Sequence, residues 1–546
     1  MLRGVPLALI LLVPATALAD ETSATDKLRI LYSTRFTFTD DGLPLVTVEI
    51  MSGRPAVHLR ARGGITVRPD GAGGSAIEAE GDGGDAWTIT VEGARPAVQQ
   101  DWTVVETLAP DDTTGVTAGL ARWKARGFEP RSFELGTVFG TGGEVIDTRE
   151  LRIAVDPVAA GKGAARAAEI AKRFGVPTSV QQDLVRRPSG TIIARSGATT
   201  IKNRQVLWFQ PRKPGETLTV ADVPTGTGGS QLETGTEDRR YWGAVYVTLD
   251  HDGMLVAANA VAEDKLLAGL VPAEMYPDAP PAALKAQAIA ARTELLQKIG
   301  RRNLTDPFLL CSTQQCQVYA GAGKEDPRTT KAVEATRGLV LLRDGGGLVD
   351  IRYSASCGGH GEDNDAIWGG DPDPSLRGRS DTRTGAASGG MSRITDDNLD
   401  AFLDGDGDAW CNQERLGKAK FRWTERISEA DLTARVAIEY PEVGRVKQLV
   451  ARRRGVSGRI AVLAIAGDKA TVEVSGDLHI RRLLGGLKST LFEATRQGDT
   501  FVIRGAGYGH GVGMCQMGAI GMASAGKPYP QILGHYYRGS HLHRLY

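Results

Sequence analysis

Residues 266–300 read LLAGLVPAEMYPDAPPAALKAQAIAARTELLQKIG and combine an acidic residue, Glu274, with a strong helical pattern. The pattern consists of apolar residues at helical spacing, namely Leu284, Ala288, Ala291, Leu295 and Ile299. It predicts an amphipathic helix with one buried face. The Pro280-Pro281 pair suits the start of that helix, because a missing N–H costs nothing in the first turn. We expect Glu274 in a short loop just ahead of the helix.

Glu274 is flanked by apolar residues at positions 270–272 and 275. A carboxylate held among such residues on a rigid element is expected to have a raised pKa. A general acid that works near neutral pH needs this property. The residues alone also allow a purely structural role, in which Glu274 caps the helix or forms an ion pair.

Two further blocks accompany the AEM…ALKAQAIAART run that contains Glu274. The middle block comprises QVYAG at 317–321, AVEATRGLVL at 332–341 and YSASCGGHGEDNDAIWGG at 353–370, and GAGYGHGVGMCQMGAIGMASAGKPYPQILGHYYRGS follows at 505–540. The three blocks, in this order, resemble the sporulation stage II protein D and amidase-enhancer family. The enzymatic members of that family are lytic transglycosylases that cut peptidoglycan glycan strands, and the glutamate of their AEM motif is catalytic. The resemblance places that role on Glu274.

A lone glutamate is compatible with this chemistry, whereas ordinary glycosidases need two carboxylates. In a lytic transglycosylase one residue protonates the glycosidic oxygen and then acts as base on the sugar's own 6-hydroxyl, which leaves a 1,6-anhydro-muramyl end. No cofactor is required for this catalysis. The resemblance also leaves open a non-catalytic peptidoglycan-binding protein or an activator of a cell-wall amidase, since some relatives are named for that role.

Several other residues fall within the family's blocks and are expected to line the sugar groove. Trp368 offers an aromatic face for a pyranose ring, although a core tryptophan is the alternative. The glycines at every second position from 505 to 513 would let this segment approach a ligand closely. The remaining candidates for the groove are Lys285, Gln287, Arg292, His510 and Gln516.

The five cysteines allow two interpretations, because an odd number in an exported protein leaves at least one unpaired unless a metal is bound. Cys311, Cys316, Cys357 and His360 form a plausible tetrahedral zinc set, and family members with zinc carry it on cysteine and histidine ligands in this region. That zinc would be structural, and a catalytic zinc centre for hydrolysis is a third hypothesis. The competing interpretation is a Cys311–Cys316 disulfide, which an oxidising compartment favours.

The N-terminus, MLRGVPLALILLVPATALA at 1–19, has the features of a secretory signal peptide. The apolar run is short and is interrupted by Pro14, which argues against an uncleaved membrane anchor. We therefore expect an exported protein of the periplasm or cell envelope, with no membrane span in the mature chain. The 65 basic and 65 acidic residues balance, so nothing in the charge indicates nucleic acid as a partner. The expected partners are peptidoglycan glycan strands and, for the activator alternative, a cell-wall amidase.

The chain of 546 residues is long enough for several domains, and we predict a multidomain α+β fold. Short strands indicate a β-rich N-terminal domain over 20–100. Residues 101–200 predict a βαββαβ unit that ends with GTIIAR, and its element order resembles the glycan-binding SPOR repeat. Residues 201–238 are predicted as strands and a linker. A mixed α/β groove domain is expected over 239–546, with an insert at about 400–500.

Overall fold

The computed structural model describes residues 31–33, 37–39, 41–69, 77–78, 86–141, 143–225, 235–312, 319–383, 391–405, 407–413 and 417–546. The predicted signal peptide lies outside these residues. Within the described ranges, no helix combines the length and the apolar character that crossing a membrane would require.

The first strands of the chain are rich in β-branched residues, and the longest of them buries most of its residues over 44–51, on both faces of the strand. They are β1 (Thr37–Phe38), β2 (Pro44–Arg54), β3 (Ala56–Arg60), β4 (Ile65–Pro69), β5 (Ile77–Glu78) and β6 (Trp87–Arg95).

The next elements form the predicted βαββαβ unit, which the structure confirms. They are β7 (Val98–Leu108), α1 (Thr113–Ala125), β8 (Arg131–Leu135), a small hairpin of β9 (Val138–Thr141) and β10 (Glu144–Asp147), β11 (Glu150–Ala159), α2 (Gly163–Phe174) and β12 (Ser179–Arg186). The antiparallel sheet has the order β12-β7-β11-β8, and both helices pack on it through a core that includes Trp123, Ile153 and Ile170.

The prediction that GTIIAR closes this unit is wrong. Its residues belong to β13 (Ser189–Ser196), which pairs with β6 in another sheet, while β12 supplies the last strand of the unit. Ile192 and Ile193 are fully buried, so the apolar run identified a strand but could not identify its partner.

A two-sheet sandwich contains the βαββαβ unit as an insertion between β6 and β13. Its later strands are β14 (Thr199–Asn203), β15 (Leu207–Pro211), β16 (Leu218–Pro224), β17 (Thr236–Tyr241), β18 (Ala244–Leu249) and β19 (Leu255–Ala262). The sheets have the orders β1-β2-β19-β18-β15-β4-β5 and β14-β13-β6-β3-β16-β17, and they share one hydrophobic core. Both sheets combine strands from either side of the domain boundaries predicted near residues 100, 200 and 239. Those boundaries do not separate folding units here, because strands far apart in sequence pair with one another.

The second half of the chain begins with helices packed on this sandwich. Its first elements are α3 (Glu263–Glu274), α4 (Pro281–Lys298), α5 (Pro327–Ala335), β20 (Leu339–Arg343), β21 (Tyr353–Ser354), α6 (Asn364–Trp368), α7 (Leu399–Asp404) and α8 (Lys418–Phe421). Helix α4 starts at Pro281, as predicted, but both of its faces are buried. Its small alanines let α3, α5, α11, α12 and β20 pack around it, so it is a central helix and not an amphipathic surface helix.

The predicted insert has its own core, formed by residues such as Leu432, Leu463 and Phe501. Its elements are β22 (Arg422–Ser428), α9 (Glu429–Glu439), β23 (Val446–Arg454), β24 (Ile460–Gly467), β25 (Thr471–Ser475), α10 (Asp477–Leu483), β26 (Phe492–Gln497) and β27 (Thr500–Ala506). Strand β22 pairs antiparallel with β27, which brings the two ends of the insert together.

The chain ends with β28 (Met514–Cys515), α11 (Gln516–Ser524), α12 (Tyr529–Tyr536) and β29 (Ser540–Arg544). Strand β28 pairs in parallel with β21, and β29 pairs with β20. These pairings return the third sequence block to the helices around Glu274. The α+β fold class is therefore confirmed.

Candidate active site

Glu274 is the last residue of α3 and does not lie in a loop, which corrects the prediction. The buried leucines at 266, 267 and 270 hold α3 in place, and the helix continues through Pro272. The backbone N–H of Met275 donates to the carbonyl of Val271 at 2.9 Å and closes the helix. The Glu274 side chain is partly exposed, whereas Met275 is buried. The carboxylate is therefore carried to the surface by a rigid helix end.

Gln516, the first residue of α11, fixes the backbone at Glu274. Its side-chain Nε2 donates to the carbonyl oxygen of Glu274 at 2.8 Å and lies 3.2 Å from Oε1 of Gln287. Gln516 is only 8 % exposed and Gln287 is fully buried. Both residues were predicted to line the groove. The structure places them behind Glu274, in positions where they support it.

Tyr353 on β21 is a buried titratable group whose pKa is influenced by the charge of Glu274. Burial is the main reason that the pKa of Tyr353 lies well above its usual value, and the carboxylates of Glu294 and Glu274 raise it further. Its hydroxyl is also hydrogen-bonded to Glu294. Tyr353 therefore remains a protonated donor at all physiological pH values.

The glycine-rich segment at 505–513 packs against residues 352–357. The expectation that its glycines would face a ligand in the groove is therefore corrected. Gly507, Gly509, Gly511 and Gly513 all have φ between 69° and 98°, a region that favours glycine. A Cβ on Gly513 would lie 2.0 Å from the carbonyl oxygen of Arg352, and one on Gly509 would lie 2.9 Å from Cβ of Ser354. The alternating glycines thus allow close packing on the 352–357 segment, while Tyr508 and His510, which lie between them, keep part of their side chains exposed.

His510 is one of these partly exposed side chains. Its Nδ1 accepts a hydrogen bond from the backbone N–H of Val512 at 3.0 Å. Burial lowers the pKa of His510 to about 4, and the positive charges of Arg459 and Arg352 also lower it. At neutral pH the ring is therefore uncharged, and its proton is placed on Nε2, which can donate to a ligand.

Trp368, at the end of α6, lies beside His510. The two ring centroids are 5.0 Å apart, and the Arg352 guanidinium lies 5.4 Å from the Trp368 ring centroid. Trp368 is 53 % exposed, so it is not a core residue and the core alternative fails. Its exposed ring is available for stacking.

Two further exposed aromatics, which the sequence analysis missed, continue this surface. Tyr276 follows Glu274 by two residues, and Tyr508 precedes His510 by two residues. Lys420 in α8 contacts both tyrosines. Its Nζ donates to the Tyr276 hydroxyl at 2.7 Å and lies 5.9 Å from the Tyr508 ring centroid. We call Tyr276, Tyr508 and Trp368 the aromatic rim. Exposure is the property that distinguishes them from core aromatics, and only the fold reveals it.

The two predicted basic groove residues are positioned differently. Arg292 is fully buried, forms an ion pair with Glu263 at 2.5 Å, and donates to the carbonyl of Thr336 at 2.7 Å. This arrangement is structural and contradicts a groove role. Lys285 is half-buried, with Nζ 5.9 Å from the centroid of the Tyr529 ring on α12.

Arg459, a fully buried residue of the insert, supports the glycine-rich segment from behind. Its guanidinium donates to the carbonyls of Cys357 at 3.0 Å and His360 at 3.2 Å. It also donates to Ser457 Oγ at 2.9 Å, and that hydroxyl donates to Glu362 at 2.6 Å. The insert therefore contributes directly to the position of the segment that carries His510.

The predicted zinc set is not assembled. Cys311 is disulfide-bonded, as the competing interpretation required, and Cys316 lies outside the described residues. The His360 nitrogens lie 2.7 Å from the carbonyl oxygen of Gly361 and 3.2 Å from that of Ser392. Cys357 is instead close to other side chains, with Sγ 3.6 Å from Sγ of Cys411. Cys311, Cys357 and His360, the members of the set that the structure describes, are therefore engaged separately, and no catalytic step is assigned to a metal ion.

The three rings of the aromatic rim are exposed, Tyr276 by 39 %, Tyr508 by 41 % and Trp368 by 53 %. A cavity of about 830 Å³ does exist, but its lining includes Arg379, Trp410, Lys527 and Arg538 and none of Glu274, His510 or Trp368.

Two stretches of the chain match models of known protein families. Residues 251–342 match the family model described as Stage II sporulation protein, and residues 362–513 match a domain of unknown function, DUF8618. The second match covers the insert and the segments that precede and follow it.

Three relatives illustrate the similarity. An uncharacterised protein of Brachyspira hyodysenteriae (strain ATCC 49526 / WA1) is 28% identical over 299 residues, which cover 55% of this chain and 71% of the relative. The Amidase enhancer of Bacillus subtilis (strain 168) is 30% identical over 292 residues, covering 50% and 40% respectively. The Stage II sporulation protein D of Bacillus amyloliquefaciens is 27% identical over 309 residues, covering 54% and 76%. Residues 251–342, which carry Glu274 and helices α3 and α4, are therefore a domain of the stage II sporulation protein family, as the three sequence blocks predicted.

Proposed function

We propose that this protein is a lytic transglycosylase of the cell envelope that cuts peptidoglycan glycan strands, with Glu274 as its acid and base. The names of its relatives support a function related to the cell wall. The observation that carries the finer proposal is the placement of Glu274. It is a partly exposed carboxylate on a rigid helix end, supported from behind by Gln516, and the exposed ring of Tyr276 follows it by two residues.

The proposed reaction needs one carboxyl group that gives and then regains a proton. Protonated Glu274 donates its proton to the glycosidic oxygen as the bond to the anomeric carbon breaks. The resulting carboxylate takes the proton of the 6-hydroxyl of the same sugar, whose oxygen forms the new bond to the anomeric carbon. The products are a 1,6-anhydro end and a free hydroxyl on the departing strand, no water is consumed, and Glu274 ends protonated.

The aromatic rim supplies the binding that such a reaction needs. Apolar faces of pyranose rings can stack on Tyr508 and Trp368, and the ring N–H of neutral His510 can donate to a sugar oxygen. Tyr276 places a third ring two residues from the acid. This arrangement would hold successive sugars across the Glu274 carboxylate.

The decisive experiment incubates the purified full chain with peptidoglycan sacculi and identifies the released muropeptides by mass spectrometry. Wild type should release 1,6-anhydro products, and Glu274→Gln should reduce that release by at least about a hundredfold, because general acid catalysis is lost. Glu334→Gln on α5 is the matched control, since Glu334 is exposed and lies outside the proposed site. Its activity should equal that of wild type.

A second candidate function is activation of a cell-wall amidase, which the name of the Bacillus subtilis relative suggests. In that case the wild-type chain alone would release no anhydro products, and a purified amidase would cleave sacculi faster in its presence. Glu274→Gln would stimulate the amidase as well as wild type does. That combination of results would replace the enzymatic proposal with the activator role.

A further inference from the structure

Three buried cysteine thiols and one buried carboxylate meet immediately behind the active-site region. They are Cys357 after β21, Asp381, Cys411 and Cys515 in β28, and their ligand atoms all lie within 4.8 Å of one another. Sγ of Cys357 lies 3.2 Å from Oδ2 of Asp381 and 3.6 Å from Sγ of Cys411. The four residues come from four separate segments of the chain, so the cluster is a product of tertiary structure alone.

The spacing matches the coordination shell of a tetrahedral metal ion. Zinc–sulfur bonds of about 2.3 Å place two sulfur ligands about 3.8 Å apart, and a sulfur and a carboxylate oxygen about 3.5 Å apart. The observed separations of 3.6 Å and 3.2 Å are close to those values. A disulfide could join two of these thiols, but it would leave the third thiol and the carboxylate buried together.

The surroundings of the cluster resemble the outer shell of a bound metal. Oδ1 of Asp381 lies 2.9 Å from Nε2 of His535 and accepts from the Tyr536 hydroxyl at 3.1 Å, so a second oxygen remains directed at the thiols. Sγ of Cys515 accepts from the backbone N–H groups of Cys357 at 3.1 Å and Gly518 at 3.3 Å. Such hydrogen-bond partners fix the orientation of metal ligands.

We propose that Cys357, Asp381, Cys411 and Cys515 bind one zinc ion in a closed structural site. The ion would join the segment after β21, the two loops that contribute Asp381 and Cys411, and the start of α11. Cys515 directly precedes Gln516, the residue that holds the carbonyl of Glu274. Met275 packs in the same hydrophobic cluster as the three cysteines. The metal would therefore hold the floor of the site without touching substrate.

The test measures metal content, so it does not depend on the catalytic proposal. Wild-type protein purified without chelator and analysed by mass spectrometry for metals should contain about one zinc per chain. Cys411→Ser should contain less than about a tenth of an equivalent. His360→Asn is the matched control, because His360 has the ring contacts described above and lies outside the cluster. It should retain the metal, whereas its loss of zinc would overturn the assignment of ligands.

A second measurement covers the case in which Cys411→Ser does not fold. Wild type reconstituted with cobalt should show thiolate-to-metal charge-transfer absorption with the intensity of three sulfur ligands. When the protein is unfolded with chelator and an alkylating agent, but no reductant, three thiols should be labelled. Labelling of a single thiol would show a disulfide within the cluster and overturn the proposal, as would zinc-free wild type with three free thiols.

Discussion

Nε2 of Gln516 donates a hydrogen bond of 2.8 Å to the carbonyl oxygen of Glu274, across 242 residues of sequence. The contact joins the first turn of α11 to the last turn of α3, and the same amide lies 3.2 Å from Oε1 of Gln287 on α4. Three helices therefore meet at one side chain. Because the contact is to the main chain, it positions the Glu274 backbone and does not use the carboxylate.

Replacing this amide should affect turnover more than binding. Gln516→Met keeps the approximate volume but removes the donor, so the Glu274 carbonyl and Oε1 of Gln287 lose a partner. We expect a loss of about 1–2 kcal/mol in the free energy of unfolding, measured in urea. Release of muropeptides should slow through kcat, with KM nearly unchanged. Gln531→Met on the exposed side of α12 is the control. An unaltered kcat in Gln516→Met would show that the hydrogen bond from Gln516 does not position Glu274.

The aromatic rim should contribute to affinity and not to stability. Tyr508→Ala and Trp368→Ala each remove an exposed ring, and we expect binding to insoluble peptidoglycan to weaken about two- to tenfold, equivalent to about 0.5–1.5 kcal/mol. The melting temperature should remain constant because the rings are 41 % and 53 % exposed. Ile438→Ala, at a site that is 83 % exposed on α9, serves as the control surface change. Equal binding by the rim variants and the control would remove the rim from the substrate path.

His510 should make the protein less stable in acid. Its pKa is lowered to about 4 in the folded chain, mainly by burial, and is about 6.5 when unfolded. Between these values the unfolded chain binds a proton that the folded chain does not, so stability falls as pH decreases from 6.5 to 4. The contribution is at most about 3 kcal/mol.

The comparison of wild type with His510→Gln isolates this effect from other titrating groups, such as Glu362, whose buried carboxyl has a raised pKa. Urea unfolding at a series of pH values should show a steeper decline for wild type within this window and parallel curves above it. Parallel curves throughout would mean that His510 is protonated equally in both states.

The glycine-rich segment should tolerate no side chain at Gly513. A Cβ there would lie 2.0 Å from the backbone oxygen of Arg352, and the residue has φ of 69°. Gly498 has a similar φ of 62°, but nothing lies within 4 Å of its Cβ position. Gly498→Ala should therefore cost only the backbone strain of about 1–2 kcal/mol.

Gly513→Ala should destabilise the protein by at least about 2 kcal/mol more, because a backbone atom cannot move aside without breaking the pairing of β21 with β28. Urea unfolding of the two variants gives the difference directly. Equal destabilisation would indicate that the 352–357 segment shifts easily, which would contradict the close packing described above.

Local sequence patterns predicted the secondary-structure elements better than they predicted which elements pack or pair with one another. The proline pair located the start of α4, and the order of apolar segments gave the βαββαβ unit. GTIIAR was recognised as a strand but assigned to the wrong sheet, since a short buried run carries no information about its pairing. The burial of α4 on both sides was missed for a related reason, because alanine is compatible with either environment.

In the candidate active site, too, the sequence identified residues but not their contacts. The motif blocks identified Glu274, His510 and Gln516, but not that Gln516 supports Glu274 from within the core. Arg292 was expected in a groove and instead pairs with buried Glu263. Tyr276 and Tyr508 carry no sequence signal of their own, because only their exposure distinguishes them from core aromatics.

The sequence by itself determined the class of fold, the family of the domain at 251–342 and the residue most suited to proton transfer. These follow from periodicity and from motifs, which are local properties of the chain. Tertiary structure decided which side chains support that residue, which aromatics face solvent, and which cysteines meet. Those outcomes depend on contacts between segments up to 242 residues apart, and such contacts are set by the packing of the whole chain and not by any stretch within it.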